Sequence, residues 1–209
     1  MRTKTAIEIY AYWDELRGHR DVPLRAQIEP AHIRNILADL FILEKNPAGD
    51  IRFRLAGTRM CSLFVRELRG ATFDSLWLGD QTARLNRIAD EVMKTMSPAV
   101  MSGAALTAAG ERLMTELVLL PLRSSEGVVD RIIGALAPLS RPTWIGVTPV
   151  NYLELQGIRM LDIAKTNLFL QNRPEVRLPS PPKSTVEVRV SNAIRRVLHL
   201  QVLEGGRQD

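Results

Sequence analysis

Few residues in this chain combine the type and the spacing that catalysis or metal binding requires. The one cysteine, Cys61, follows Arg59 near the start of a predicted helix, where the helix dipole and the cation would favour a reactive thiolate. The alternative, which we favour, is a small apolar side chain in the core. The histidines His19, His32 and His199 lack metal-ligand spacing, and no phosphate-binding loop or nucleophile elbow occurs. We therefore predict no catalytic or metal-binding residue and expect a protein that is not an enzyme.

Arginines near the N-terminus and in the first predicted hairpin suggest a surface that contacts a partner. Arg17, Arg20 and Arg25 could hold an acidic group by paired hydrogen bonds, or could lie on a solvated face with local ion pairs. Arg52 and Arg54 alternate with apolar residues and should face away from the core. The candidate partner interface is therefore Trp13, Arg17, Arg20, Arg25, Arg52 and Arg54.

The overall charge gives little help in choosing a partner. Lysine and arginine number 28 against 23 acidic residues, a net charge of +5. The pair Arg195 and Arg196 lies in an apolar stripe near the C-terminus and could contact nucleic acid or an anionic membrane surface. We favour packing on protein and do not expect nucleic-acid binding. No apolar run reaches about 18 residues, so we predict no membrane span and a cytoplasmic location.

Residues 39–76 organise the predicted fold. An apolar run at residues 40–43 and an alternation of apolar and basic residues at 51–55 flank a turn, which predicts a β-hairpin. After Gly57 the hydrophobic spacing changes from two to three and four, which predicts short helices as far as Gly70. A hairpin that leads into short helices indicates a small sheet crossed by helices on one face.

The remaining elements complete an α+β fold with a five-stranded antiparallel sheet, helices on one face, an N-terminal helix and a C-terminal extension. The helix that carries Trp13 ends at Gly18, and the clearest helix in the chain begins after Asp80. The three later strands are predicted at residues 99–107, 112–122 and 131–139. The predicted regions are an N-terminal helical region (1–38), the core (39–142), an irregular or helical extension (143–173), and a proline-rich linker with a basic tail (174–209).

Five short motifs in this order resemble those of alphaproteobacterial single-domain PAS-like proteins. They are WDELRGHR at 13–20, PLRAQIEP at 23–30, LFILE at 40–44, FRLAGT at 53–58 and RELRG at 66–70. The resemblance covers about residues 10–165 and implies a PAS fold, a cytoplasmic regulatory role and contact with signalling proteins. It implies no established ligand and no catalytic residue.

The same resemblance argues against two cofactors. The chain lacks the Asn-Cys-Arg-Phe-Leu-Gln context of flavin-binding PAS domains. None of its histidines lies on the long helix that carries the axial ligand in haem-binding PAS domains. We therefore predict neither flavin nor haem, and the identity of any other cofactor stays open.

A PAS-like fold can enclose a small apolar cavity between the sheet and the long helix. The candidate wall residues are Phe53, Leu55, Met60, Leu63, Phe64, Phe73, Leu76, Leu85, Ile88, Val92 and Leu117. We expect a regulatory module, forming a homodimer, that binds a small apolar metabolite there, signalling proteins, or both. In one alternative these residues only fill the core and the chain is a structural adaptor. In another, the basic tail makes it a nucleic-acid-associated regulator.

Overall fold

The computed structural model describes residues 1–124 and 127–163, in which a six-stranded antiparallel sheet carries helices on both faces. The strands are β1 (Leu40–Lys45), β2 (Ile51–Ala56), β3 (Ala99–Thr107), β4 (Arg112–Arg123), β5 (Val129–Pro138) and β6 (Val150–Met160). The α-helices are α1 (Lys4–Arg17), α2 (Thr58–Phe64) and α3 (Thr82–Thr95). Short 3-10 turns lie at Arg25–Gln27, Pro30–Ile33, Leu37–Asp39, Phe73–Leu76 and Gly79–Gln81.

The strand order, β2-β1-β5-β4-β3-β6, joins the first hairpin to the later strands. Strand β1 pairs with β5, with Leu43 opposite Ile132, so the hairpin and the three predicted strands belong to one sheet as expected. The expected number of strands was wrong. Strand β6, in a segment predicted to be irregular, pairs with β3 along almost its whole length.

Two bulges explain why the alternation of β6 is hard to see in the sequence. Between the pairs Ser102–Gly157 and Gly103–Leu155, one residue of β6 is skipped, and a second is skipped near the start of the strand. The inward side chains of β6 are therefore spaced three, two and three residues apart rather than two. A third irregularity, in the β1–β2 pair, places Phe53 and Leu55 on opposite faces of the sheet.

Each face of the sheet has its own apolar core. The inner face, which carries Leu43, Phe53 and Leu117, packs against α2 and α3. The outer face packs against α1, whose Ile9 and Trp13 meet side chains of β4 and β5. The N-terminal helix therefore covers part of the sheet of its own chain.

Hydrogen bonds to strand β4 hold both ends of α1. Thr3 is the N-cap, where its hydroxyl accepts from the N–H of Ala6. The buried Glu116 carboxylate accepts from the backbone N–H groups of Arg2 and Thr3. Near the other end, the indole N–H of Trp13 donates to the carbonyl of Pro121 at 2.8 Å.

Other parts of the chain occupy the middle of both sheet edges. On the free side of β2, the N–H of Phe53 donates to the carbonyl of Ala71, and the N–H of Gly70 donates to the carbonyl of Phe53. On the free side of β6, the N–H of Leu78 donates to the carbonyl of Leu153. The amide oxygen of Gln81 accepts from the next inward residue, Leu155, at 2.7 Å.

Candidate functional site

The inner core holds all but one of the predicted pocket residues. Those in the buried cluster are Phe53, Met60, Leu63, Phe64, Phe73, Leu76, Leu85, Val92 and Leu117, with Ile88 partly buried against it. The exception is Leu55, which lies outside this cluster and is 49% exposed on the outer face. The prediction that Leu55 lines the pocket was wrong because the β1–β2 irregularity interrupts the two-residue period.

Four aromatic rings form a continuous chain through the inner core. Phe41, Phe53, Phe73 and Trp77 meet in successive edge-to-face contacts, with centroid separations of 5.6, 6.1 and 6.0 Å. Phe41 packs directly on the backbone of Gly134, where an added Cβ would lie 2.2 Å from its Cζ. The rings therefore fix the spacing between the sheet and the short helices above it.

Two polar atoms in this region have no hydrogen-bond partner in the described structure. The indole Nε1 of Trp77 is buried in a side chain that is only 4% exposed. The Oδ1 of Asn86 on α3 is also buried and unpartnered, although its Nδ2 donates to Asp74 at 2.7 Å. Because most buried polar atoms have partners, a donor and an acceptor left over near one core are the atoms that a bound polar group would satisfy. Sequence analysis identified neither residue as part of a site.

An ion pair fastens α3 over the inner face. Lys45 at the end of β1 donates to Asp90 of α3, and Lys94 donates to the other Asp90 oxygen at 2.6 Å. The hydrogen bond from Lys45, followed by that from Lys94, holds the pKa of Asp90 below its ordinary value of 3.8. This contact connects the helix to the first hairpin.

The predicted interface residues near the N-terminus are largely occupied within the chain. Trp13 is 1% exposed, so it belongs to the outer core and is not available to a partner. Arg17 lies over its ring at 5.8 Å and donates to Asp14. Arg20 donates to the carbonyl of Leu16, whereas Arg25 is exposed.

The two hairpin arginines face away from the inner core as predicted, and both make local ion pairs. Arg52 donates to Asp50 and to the carbonyl of Gly70. Arg54 donates to Glu44 at 2.9 Å, and Arg131 of β5 donates to the other oxygen of the same carboxylate. They are therefore exposed but already paired, and as surface ion pairs they contribute little stability.

The half of the outer face that α1 leaves uncovered carries an apolar patch. We call Leu106, Met114 and Tyr152 the outer patch, because they lie on three neighbouring strands with their side chains on the same face. Met114 is 37% exposed and Tyr152 47%. An ion pair between Arg112 and Glu154, at 2.6 Å, crosses the patch over β3 and lies between Met114 and Tyr152. Sequence analysis missed this surface because it had not identified β6.

Cys61 has the properties of a small apolar side chain packed against the core, rather than those of a reactive thiol. Its thiol is partly buried and lies 3.8 Å from the carboxylate of Glu67. Burial, with the charge of Glu67 adding to it, raises the pKa of Cys61 above its ordinary value. Within residues 1–124 and 127–163, no three histidine, cysteine, aspartate or glutamate side chains come together to hold a metal ion.

Several sequence predictions concern residues outside the described part of the chain. The extension predicted as irregular or helical at 143–173 contains β6, which ends at Met160, and its residues from 164 on are not described. The predicted linker and basic tail at 174–209, with His199, lie outside it too. Among the helices that are described, none has the length and apolar character needed to cross a membrane.

Comparisons with known proteins find two kinds of match, to solved structures and to a family model. A LOV protein of Rhodobacter sphaeroides is 16% identical, with a TM-score of 0.41, and the match covers 56% of this chain and 71% of that one. The dark structure of the blue-light photoreceptor Aureochrome1 LOV is 14% identical, with a TM-score of 0.41, and the match covers 52% of this chain and 80% of that one. No curated protein matches the chain. The PAS domain family model matches residues 1–137, well over half of the sequence, and the chain therefore belongs to the PAS domain family.

Proposed function

We propose that this chain is a cytoplasmic regulatory module of the alphaproteobacterial single-domain PAS type, which acts by binding signalling proteins and a second copy of itself rather than by catalysis. The PAS domain match supports a sensory or regulatory role. The five sequence motifs support the narrower group. The outer patch carries the proposal, because it exposes Met114 and Tyr152 on a sheet face whose other half is buried under α1.

A flat apolar surface beside a buried one favours face-to-face protein contact. Apolar side chains on adjacent strands would form most of an interface, and the Arg112–Glu154 pair, whose charges are already paired with each other, would lie among them. The same surface serves the alternative role of an adaptor with a filled core. Self-association is thus the first property to measure.

Light scattering coupled to gel filtration tests this proposal on the full chain. The unaltered protein should have the mass of a dimer at micromolar concentration, and Met114→Arg should reduce it to a monomer without changing the melting temperature. Val147→Arg is the matched control, because Val147 is 78% exposed away from the patch. A monomer at all concentrations, or equal behaviour of the two variants, would contradict self-association through the outer patch.

A second function, sensing a small molecule in the inner core, is favoured by the unpartnered atoms of Trp77 and Asn86. The ligand would be largely apolar, to match the aromatic chain. It would carry an acceptor for the indole N–H and a donor for the Asn86 oxygen. A signal requires that the ligand bind two conformations with different affinity.

Mass spectrometry of extracts from natively purified protein tests this second function. The unaltered chain and Trp144→Phe, which alters another tryptophan on the edge of the same core, should retain the same small molecule. Trp77→Phe should lose it while keeping its melting temperature, because an apolar ring replaces an unsatisfied donor at little cost. An empty extract from the unaltered protein, or full retention by Trp77→Phe, would contradict the role assigned to this residue.

A further inference from the structure

A cleft lies on the outer face of the sheet, which is the face away from the inner core. Its volume is about 410 Å³, within the range of small-molecule sites. Val100 and Leu139 contribute apolar parts of its lining. Arg2, immediately before α1, and Arg159, near the end of β6, contribute the positive charge.

The charges of this cleft favour an anion. Among residues 1–124 and 127–163, neither Arg2 nor Arg159 has a carboxylate partner for its guanidinium. Glu116 also lines the cleft, but its carboxylate oxygens already accept hydrogen bonds from three donors, the N–H groups of Arg2 and Thr3 and the Thr3 hydroxyl. Two unpaired cations therefore outweigh one carboxylate that is already satisfied.

Small residues leave room for a ligand at the floor of the cleft. Gly157 pairs with Ser102, and a Cβ at Gly157 would approach the Ser102 hydroxyl to 3.0 Å. That hydroxyl has no hydrogen-bond partner in the described part of the chain, so it can donate to an oxygen of the ligand.

The geometry points to a binding site for a small organic anion with an apolar body, such as a medium-chain carboxylate. Arg159 and Arg2 hold the anionic group, Ser102 donates a hydrogen bond to it, and Val100 and Leu139 contact the apolar body. The cleft shares no residue with the outer patch, although Glu116 lies two residues from Met114 on the same face of β4. The backbone N–H of Arg2 donates a hydrogen bond to Glu116 at the start of α1. A ligand bound in the cleft therefore contacts residues that hold this end of the helix.

NMR titration of the full chain with octanoate tests the site. We expect saturable shifts at the amides of Val100, Gly157 and Thr3, and weaker binding of 1-octanol and of acetate, which each lack one half of the recognised chemistry. Arg159→Gln should weaken octanoate binding about tenfold, as expected for the loss of a charge-assisted hydrogen bond. The matched control is Arg84→Gln, an exposed arginine on α3 over the opposite face, which should bind octanoate as the unaltered chain does.

Three results would overturn the assignment. One is the absence of saturable shifts with octanoate at its highest soluble concentration, in a chain shown to be folded by its spectrum. The second is equal affinity for octanoate and 1-octanol, which would remove the role of the anion. The third is an equal loss of octanoate affinity in Arg159→Gln and Arg84→Gln, which would show that only the net charge of the protein matters.

Discussion

The Thr3 hydroxyl donates to Glu116 at 2.8 Å and at the same time accepts from the N–H of Ala6. One side chain thus joins the buried carboxylate of strand β4 to the first turn of α1. The helix is fixed to the sheet by this relay at its beginning and by Trp13 near its end. Because Arg2 lines the cleft and its backbone N–H is bonded to the same carboxylate, this attachment also positions one side of the cleft.

Replacing Glu116 with Gln should loosen the start of α1. An amide presents only one acceptor oxygen, and its NH₂ group would face the donors of Arg2 and Thr3. We expect a loss of about 1–3 kcal/mol in the free energy of unfolding, from urea denaturation, and faster hydrogen exchange at Ala6. Glu91→Gln, on the exposed face of α3, serves as the control and should change neither. Unchanged exchange at Ala6 would show that the carboxylate does not hold the helix.

Replacing Trp13 with Ala should cost more stability than any change on the surface. The side chain is 1% exposed and its N–H is bonded to Pro121, so the variant loses buried area and leaves a cavity. We expect a loss of about 3–5 kcal/mol in the free energy of unfolding. Trp13→Phe, which keeps part of the packing, should lose less. If both variants had the same melting temperature as the unaltered chain, α1 would not be packed on the sheet.

Adding one methyl group at Gly134 should destabilise the inner core strongly. The new Cβ would lie 2.2 Å from Phe41 Cζ and 2.6 Å from the carbonyl oxygen of Val118, and the backbone atom cannot move aside. We expect Gly134→Ala to lower the free energy of unfolding by about 3 kcal/mol or to prevent folding. Gly79→Ala is the matched control, since nothing lies within 4 Å of the added Cβ. Equal stability of these two variants would contradict the contact between Phe41 and Gly134.

The Lys45–Asp90 pair should make part of the stability depend on pH. The pKa of Asp90 is depressed in the folded chain, so its contribution is present in full above the ordinary value of 3.8 and is lost as the pH falls through the lower folded-state value. Asp90→Asn should therefore destabilise the protein by about 1 kcal/mol at pH 7 and by less in acid. Urea denaturation at both pH values measures this difference.

The control for this pH effect is Asp80→Asn, which changes an exposed aspartate just before α3. It should leave stability unchanged at neutral pH. A destabilisation by Asp90→Asn that is the same at neutral and acid pH would contradict the charge argument and leave only a packing effect.

The sequence predicted regular elements well and irregular ones poorly. The limits of β3 agree with those expected, because Pro98 precedes the strand and the turn at Gly110 follows it. Strand β6 was missed, since the two skipped residues put Leu153 and Leu155 inward but shift the residues on either side out of step. The same mechanism turned Leu55 outward. A bulge is a relation between two strands, so one strand read by itself does not reveal it.

Prediction of the candidate site was limited in the same way. Burial of residues such as Phe53 and Val92 could be predicted from period alone, whereas the roles of Trp77 and Trp13 could not. A tryptophan in an apolar stripe has the same pattern whether its N–H is bonded, as in Trp13, or unpartnered, as in Trp77. Only the positions of Pro121 and of the other neighbouring backbone atoms distinguish the two.

The hydrogen bonds that Ala71 makes to β2, and that Leu78 and Gln81 make to β6, also limit how the molecule can aggregate. A strand from another chain can add to an outermost strand only by pairing with that outermost strand's free N–H and C=O groups. Here the central groups of both outermost strands are already used. Growth of fibrils by strand addition is therefore disfavoured at these positions, and a peptide that docks as an extra strand would first have to displace part of the chain itself.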